Sequence, residues 1–351
     1  MFLLLLVLVA LGVILEVLSL RRDPETVGLE YSVSVQTAEP GSPFDVQITV
    51  TNRGFLPLSY IAITEMSPKT AQLPDCQVCY ELQDGVNTKK VCRLSARQRK
   101  KLTTQVSVSK RGVHVFRAES IGFGDFLGIQ EFLKNVYFRR EVVVFPEKKA
   151  CPRITDALGK FCGDLAAKRY LIRDPIMTVG SREYTGREPM KEIHWLQSAR
   201  SGELMVREFD HTRHLSVSVI LSVSGLVPSD RDGLDECCSI ARAVCEKLID
   251  TGNIIAFYTN SMLVGKASRG FWKCEASAGH KGVLLEGLGR VSVNAPCNLE
   301  QLLKHTNYTS DPEDAFILIL PAGDRHGAGA ASGFSRSTGR EVFIIPVDTN
   351  L

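Results

Sequence analysis

The 351-residue chain has little net charge, +3 at neutral pH, left over from 42 basic and 39 acidic residues. The basic residues are scattered except for one short run, Arg97, Arg99, Lys100 and Lys101, which is interleaved with polar residues and has no aromatic platform. A nucleic-acid-binding face needs clustered positive charge, so that class of function is set aside. The run reads as a solvated loop or edge strand, with an acidic partner or lipid headgroups as the alternative. The usual catalytic motifs are missing as well. There is no G-x-S-x-G elbow, no phosphate-binding G-x-x-x-x-G-K-S/T loop and no H-E-x-x-H helix. Neither a cofactor nor a small-molecule substrate is expected.

Cysteine is plentiful but lacks a framework. The ten cysteines show no regular spacing, and Cys237, Cys238 and Cys245 fall inside a helical pattern. Unpaired thiols at such positions suit a reducing compartment, which assigns the soluble parts to the cytoplasm. Cys76-x2-Cys79, with Cys92 thirteen residues on, is the one metal-like spacing. A structural zinc site needs four ligands, and no fourth Cys or His lies close by. The plain reading is strand cysteines beside a hairpin; the alternative is a metal- or thiol-dependent enzyme built on Cys76, Cys79 and Cys92. His211-x2-His214 reads as edge or solvent-facing histidines leading into a strand rather than a metal pair.

What the chain does have is one long apolar run at its start. Phe2 to Leu20 carries a single charge, Glu16, and as a helix reaches roughly 28 Å, close to the hydrocarbon core of a bilayer. No basic region precedes it and no small-residue cleavage site follows it, so a membrane anchor is preferred to a cleaved signal. Arg21 and Arg22 follow directly, and the positive-inside rule puts the rest of the chain in the cytoplasm. A protein with its domains outside the cell, binding surface or envelope material, is the alternative.

From about Tyr31 the period becomes two. Phe44, Val46, Ile48 and Val50 alternate with polar residues between the turn signals Pro40-Gly41 and Asn52-Arg53-Gly54. Strands follow at Pro57 to Ile63, around an Asp84-Gly85 hairpin, and at Val106 to Val108, Gly112 to Phe116 and Val142 to Phe145, the spacing of a β-sandwich. After Leu215 the pattern changes to strand, helix, strand. Leu215 to Val223, Ile254 to Tyr258, Phe316 to Leu320 and Val342 to Val347 are apolar runs. Leu234 to Ile249 repeats at helical spacing, with Gly252 as its stop, and Leu299 to His305 reads as helix. Continuous apolar strands alternating with helices predict a mostly parallel sheet covered on both faces. Gly323 to Gly333, rich in small residues, reads as a flexible loop before a helix, with a phosphate nest as the sharper alternative.

Between these halves lies the most specific stretch. Gly180-Ser-Arg182-Glu183-Tyr184 is followed by Glu188-Pro-Met-Lys191-Glu-Ile193-His-Trp195 and by Ser198-Ala-Arg200-Ser-Gly202-Glu-Leu204-Met-Val206-Arg207-Glu-Phe209. Arg182, Arg200 and Arg207 can pair bidentately with Glu183, Glu188 or Glu208, which would order a long extended connector. The other reading is an interaction surface for a charged partner. This run resembles the signature of the domain of unknown function 58 family, and Lys110 to Phe116 and Gly124 to Gly128 resemble that family's preceding segments. Departures stand at Arg187 and Glu188, where the family usually has Gly-Asp, and at the single apolar span where relatives often have two.

The resemblance implies a C-terminal von Willebrand factor A-like domain, a role beside MoxR-type AAA+ ATPases, and protein binding rather than catalysis. In that fold a D-x-S-x-S loop holds a divalent cation through hard oxygens. Here Ser222 stands at the position of the aspartate, Ser224 keeps the first serine, and Leu226 replaces the second, so a degenerate loop without metal is expected. Asp324 lies near a second acidic position but is displaced from it. The expected architecture is α+β and multidomain: a transmembrane anchor over 1–22, a β-sandwich over 28–150, a charged connector with the signature over 151–212, and an α/β domain over 213–351. The expected function is a non-catalytic, membrane-anchored bacterial adaptor for complex assembly or envelope stress, with other envelope proteins as further partners.

Overall fold

A computed structural model describes residues 2–21, 23–73, 78–82, 85–125, 127–150, 156–161, 178–209, 216–227, 229–266, 270–310 and 314–348, together with 152, 154 and 163. The chain divides into two compact units, Met1–Glu147 with Leu288–Arg290, and Lys148–Gly287 with Val291–Leu351.

The first unit begins with α1 (Phe2–Leu20), a 19-residue helix long and apolar enough to cross a membrane. Its side chains are exposed almost throughout until Ser19, which is buried. A short turn at Pro24–Thr26, capped by the Asp23 carboxylate, leads into a sandwich. One sheet pairs β1 (Val27–Val33), β3 (Pro43–Asn52), β8 (Arg99–Val108) and β5 (Ala71–Gln72), all antiparallel. The other runs β2 (Thr37–Ala38), β10 (Glu131–Val144), β9 (Gly112–Gly124), β4 (Leu58–Ser67), β7 (Val86–Leu94) and β6 (Val78–Glu81). Only the β2 to β10 pairing is parallel. The period-two residues Phe44, Val46, Ile48 and Val50 all face inward and meet Ile61, Ile63, Phe116, Ile121 and Phe123 of the second sheet. Burial of one face per strand fixes the register, because a one-residue slip would turn each of these side chains to water. A charge pair between the buried Glu65 and the half-buried Lys90, 2.6 Å apart, joins β4 to β7.

One end of the sandwich gathers four connections. Val27 opens β1 opposite Asn52, Arg99 opens β8 opposite Thr51, Leu94 closes β7 opposite Leu58, and Gly124 closes β9 opposite Glu131. The segment after α1 and the loops 53–57, 95–98 and 125–130 therefore share this end. Asn52 is wholly buried there. Its amide nitrogen donates to the carbonyls of Leu56 and Ser95, each at 2.9 Å, and its oxygen accepts from the Gly54 N–H at 2.9 Å. The Arg97 N–H donates to Gly54, and the Arg53 N–H to Thr26, which closes the cluster.

The second unit holds β11 (Thr178–Glu183), α2 (Trp195–Ser201) and β12 (Met205–Phe209), then a five-stranded sheet. That sheet is ordered β15 (Trp272–Ala276), β14 (Ile254–Thr259), β13 (Ser216–Leu221), β16 (Ala315–Pro321), β17 (Val342–Val347). Four strands are parallel, and β15 is an antiparallel edge. Its helices are α3 (Arg231–Asp250), α4 (Gly282–Arg290, of which Leu288–Arg290 count with the first unit), α5 (Leu299–Thr309) and α6 (Arg325–Thr338). Ile220, Tyr258, Phe316, Leu318 and Leu320 form one sheet face with Leu302, Leu303, Ala331 and Phe334 of α5 and α6. The alternate strand residues Val217, Val219, Phe257 and Ile317 are equally buried, and α3 packs on the same strands with Cys237, Cys238, Ala241 and Cys245 inward. Two layers of helix on a mostly parallel sheet follow from apolar runs that no single covered face could bury. Gly252, expected as the helix stop, takes φ +82 just after α3.

Two local expectations are corrected. The signature is not an extended connector: it is an antiparallel hairpin, β11 on β12, with a turn of helix inserted between the strands. Gly323 to Gly333 is not a loop, since α6 starts at Arg325 and runs through it, capped by Asp324 and ended by Gly339 at φ +69.

Asn52→Ala is expected to cost about 1–3 kcal/mol, because three backbone groups at this end lose their partner at once, those of Gly54 and Leu56 in half-buried positions. Denaturant unfolding followed by circular dichroism checks this, and a cost below about 0.5 kcal/mol would show that the loops hold without the amide.

Candidate functional site

Two regions carry the candidate residues: the signature hairpin, and the end of the five-stranded sheet where its parallel strands finish.

In the hairpin the signature residues separate into two groups. One group builds the structure. Ile193 and Val206 are its buried pair and face each other across an isolated bridge. The Ser198 hydroxyl accepts from the Met205 N–H at 2.8 Å and donates to the His194 carbonyl at 3.1 Å, tying α2 to β12. Gly202 ends α2 at φ +78, a left-handed position that a side chain would strain. Tyr184 donates its N–H to the Leu204 carbonyl, and Glu183 pairs with Met205. Glu188 folds over the turn, accepting from the Thr185 hydroxyl at 2.8 Å and the Thr185 N–H at 3.1 Å, with the Arg182 guanidinium at 2.7 Å. The Thr185 hydroxyl and then Arg182 hold the Glu188 carboxyl down to about 2. The other group points outward. Lys191, Arg200 and Arg207 are exposed, and Trp195 is 59% exposed beside the exposed Met190, Leu196 and Leu204. Arg182 is the arginine of the expected set that meets Glu188; Arg207 lies on β12 opposite Ser181.

At the sheet edge, β13 ends in Ser222-Val223-Ser224. The buried Ser222 hydroxyl accepts from the Ser224 N–H at 3.3 Å. Asn260, which follows β14, accepts from the Val223 N–H at 3.0 Å and donates to the Ser224 hydroxyl at 2.8 Å. Both serines are thus engaged with the chain's own amide groups. Asp324 follows β16 and is only 8% exposed. Its Oδ1 accepts from the Gly327 N–H at 2.8 Å as the cap of α6, while Oδ2 is buried without a hydrogen-bond partner among the described residues. Gly225 takes φ +87, and a β-carbon there would lie 3.1 Å from that of Asp324, so the loop and the acid touch. Asp324, Ser224, Asn298, Glu300, His326 and Gly327 line a cavity of 310 Å³. Open α/β sheets take ligands outside the C-terminal ends of their strands, where this cavity lies.

The sequence marked Ser222 and Ser224 and judged Asp324 displaced; the structure brings all three to one edge. It missed Asn260, Asn298, Glu300 and His326. A usable signal existed for Asn260, which directly follows an apolar strand as Ser222 does. The Cys76 position lies outside the described residues, as do His211 and His214. Cys92 is buried and its thiol is pushed up by that burial, which opposes a thiolate nucleophile. No group of three or more His, Cys, Asp or Glu side chains that could hold a metal occurs among the described residues.

No family model matches the chain, and no curated protein matches it. Among solved structures, about a third of the chain is similar to small β-sandwich domains. A cohesin module from a Clostridium perfringens family 33 glycoside hydrolase aligns at 12% identity over 34% of this chain and 96% of that one, with a TM-score of 0.28. A chain of a type I cohesin–dockerin complex from Clostridium thermocellum aligns at 14% over 33% and 98%, with a TM-score of 0.25. A CARDB domain from Pyrococcus furiosus aligns at 12% over 34% and 91%, with a TM-score of 0.24. The sandwich assignment above rests on strand pairing, and these likenesses add no functional argument.

Two outcomes are expected in the hairpin. Ser198→Ala strands the Met205 N–H and should cost about 1–3 kcal/mol, seen as faster amide exchange at Met205. A carboxyl depressed from 4.5 to about 2 contributes stability that is present above pH 4.5 and lost as pH falls towards 2. Glu188→Gln should remove that acid dependence of the hairpin, which exchange measured across the same window would show.

Proposed function

We propose that this chain is a membrane-anchored, non-catalytic adaptor of the domain of unknown function 58 family. Its partner in this reading is a MoxR-type AAA+ ATPase, which would hydrolyse ATP while this chain holds it at the membrane for complex assembly or envelope stress. The second unit then serves as a von Willebrand factor A-like protein-binding module on the cytoplasmic side, with a cation loop reduced to Ser222 and Ser224.

The observation that carries the reading is the Asp324 carboxylate at the sheet edge. A buried carboxylate oxygen without a donor costs stability, and such groups are rare in folded proteins. Its place beside a cavity that also holds Glu300, at the edge where this architecture takes ligands, supports recognition of a donor carried by a partner. The outward group of the signature, Trp195 with Lys191, Arg200 and Arg207, has the aromatic and arginine content of protein-binding hot spots.

The test is affinity purification of the full-length protein from gently solubilised native membranes, comparing wild type with Asp324→Asn. Asparagine keeps the cap of α6, so stability should stay within about 1 kcal/mol. Co-purification of a MoxR-like ATPase with wild type, reduced at least about tenfold in the variant, is the expected result, the loss that one charge-assisted hydrogen bond carries. Absence of such an ATPase from the wild-type sample, or equal recovery with both proteins, overturns the reading.

A further inference from the structure

The end of the sandwich described above is also the end at which α1 arrives. The Leu127 N–H donates to the Glu16 carboxylate at 3.1 Å. Glu16 lies four residues before the end of α1, so the 125–130 loop stands alongside the last turn or so of the apolar helix, about 6 Å in from its end. Ser19, buried in an otherwise exposed helix, marks the same junction. Any bilayer that receives α1 must therefore meet this loop.

The loop is built to hold a fixed shape. The buried Asp125 carboxylate accepts from three successive backbone groups, the N–H of Gly128, of Ile129 at 2.8 Å and of Gln130 at 2.7 Å. Asp125 thereby shapes the turn, and its carboxylate also meets the Glu16 carboxyl of α1. The turn presents large aliphatic side chains to the outside: Ile129 is 75% exposed, and Leu127 is exposed beside it. On the neighbouring loop Phe55 is 78% exposed, with the Arg97 guanidinium over its ring at 4.4 Å. Arg97 sits at φ +55, a left-handed position unfavourable for a residue other than glycine, held by its N–H bond to Gly54. Arg53, Lys100 and Lys101 are exposed at this end, and Arg99 pairs with Glu30. Of the acids here, Asp23 caps the helical turn, Glu25 pairs with Lys134 at 2.9 Å, and Glu131 is exposed at the start of β10.

We propose that this end of the sandwich docks on the bilayer surface, with Leu127, Ile129 and Phe55 entering the interface and Arg53, Arg97, Lys100 and Lys101 facing acidic phospholipid headgroups. Aliphatic and aromatic side chains framed by basic ones match the two layers of an anionic interface, apolar below and charged above. A second contact of this kind turns a helix on a leash into a domain held in one orientation. The inference rests on α1 being a membrane anchor and reaches beyond it.

The test uses the full-length protein in vesicles of phosphatidylglycerol and phosphatidylcholine, with tryptophan placed by Ile129→Trp or Phe55→Trp and the parent spectrum subtracted. Tyr137→Trp is the control, an exposed position on β10 about 20 Å further along the strand. The expected result is a blue-shifted emission, quenched by lipids brominated high in their acyl chains, at both loop positions and not at Tyr137, with quenching lost when phosphatidylglycerol is left out. Extraction with alkaline carbonate is run on the same samples. Release of the protein by carbonate overturns the anchor reading and the docking with it. Retention of the protein with unquenched loop tryptophans overturns the docking alone. Blue-shift at the loops that appears only when a protein partner is added assigns the face to that partner and likewise overturns the proposal.

Discussion

The first unit depends on how four chain crossings are satisfied at one end of its sandwich. Strands pair along their lengths, but where they leave the sheet their backbone groups need other partners. Asn52 and Asp125 supply them. The Asn52 amide joins the loops 53–57 and 95–98, and the Asp125 carboxylate winds 125–130 into a tight turn. Both are buried polar side chains that bond several backbone groups each, which is the arrangement that makes a polar interior group stabilising rather than costly. The geometry of the helix junction follows from them, because the Glu16 contact is made to the turn that Asp125 shapes.

The sheet edge of the second unit follows a different rule. Strands β13, β14 and β16 end side by side, so the residues just past each strand converge without any one being close in sequence to another. Ser222 and Ser224, Asn260 and Asp324 come from three such ends. Asn260 answers the serine loop with both ends of its amide, its oxygen accepting from the Val223 N–H and its nitrogen donating to the Ser224 hydroxyl, which leaves the loop little freedom to turn toward a ligand. Asp324 divides its carboxylate, one oxygen capping α6 and the other unpaired. The consequence is a wall of serine and amide groups, held by its own hydrogen bonds, facing the Asp324 carboxylate.

Much of the layering was legible in the sequence. The period of two over Phe44 to Val50 and the helical spacing of Leu234 to Ile249 are driven by burial on one face, and both elements have the faces that the spacing implies. The misreadings have physical causes. Glycines and alanines through Gly323 to Gly333 lower helix propensity and suggested a loop. A strong cap at Asp324, a left-handed stop at Gly339 and the seating of Ala331 and Phe334 on the sheet override that preference. The signature was taken as extended because its charges alternate. The hairpin is set instead by a hydroxyl, Ser198, and a single apolar pair, which periodicity does not weigh. Convergence of Asp324 on Ser224 needed the order of the strands, which local pattern does not contain.

That outcome changes what the signature can be taken to mean. A motif whose serine, glycine, buried isoleucine and lid glutamate all serve one small hairpin would be kept by folding alone, and its length is then no measure of a binding site. Only the residues that folding does not use can speak for an interface. Trp195 opens α2 at the protein surface, and Lys191, Arg200 and Arg207 extend into solvent from the same inserted segment and its second strand. An indole left exposed forgoes the burial that most stabilises a large aromatic side chain. The hairpin holds it there against that gain, with helix and strand stapled by Ser198, and an aromatic side chain on a fixed backbone loses little entropy when a partner covers it.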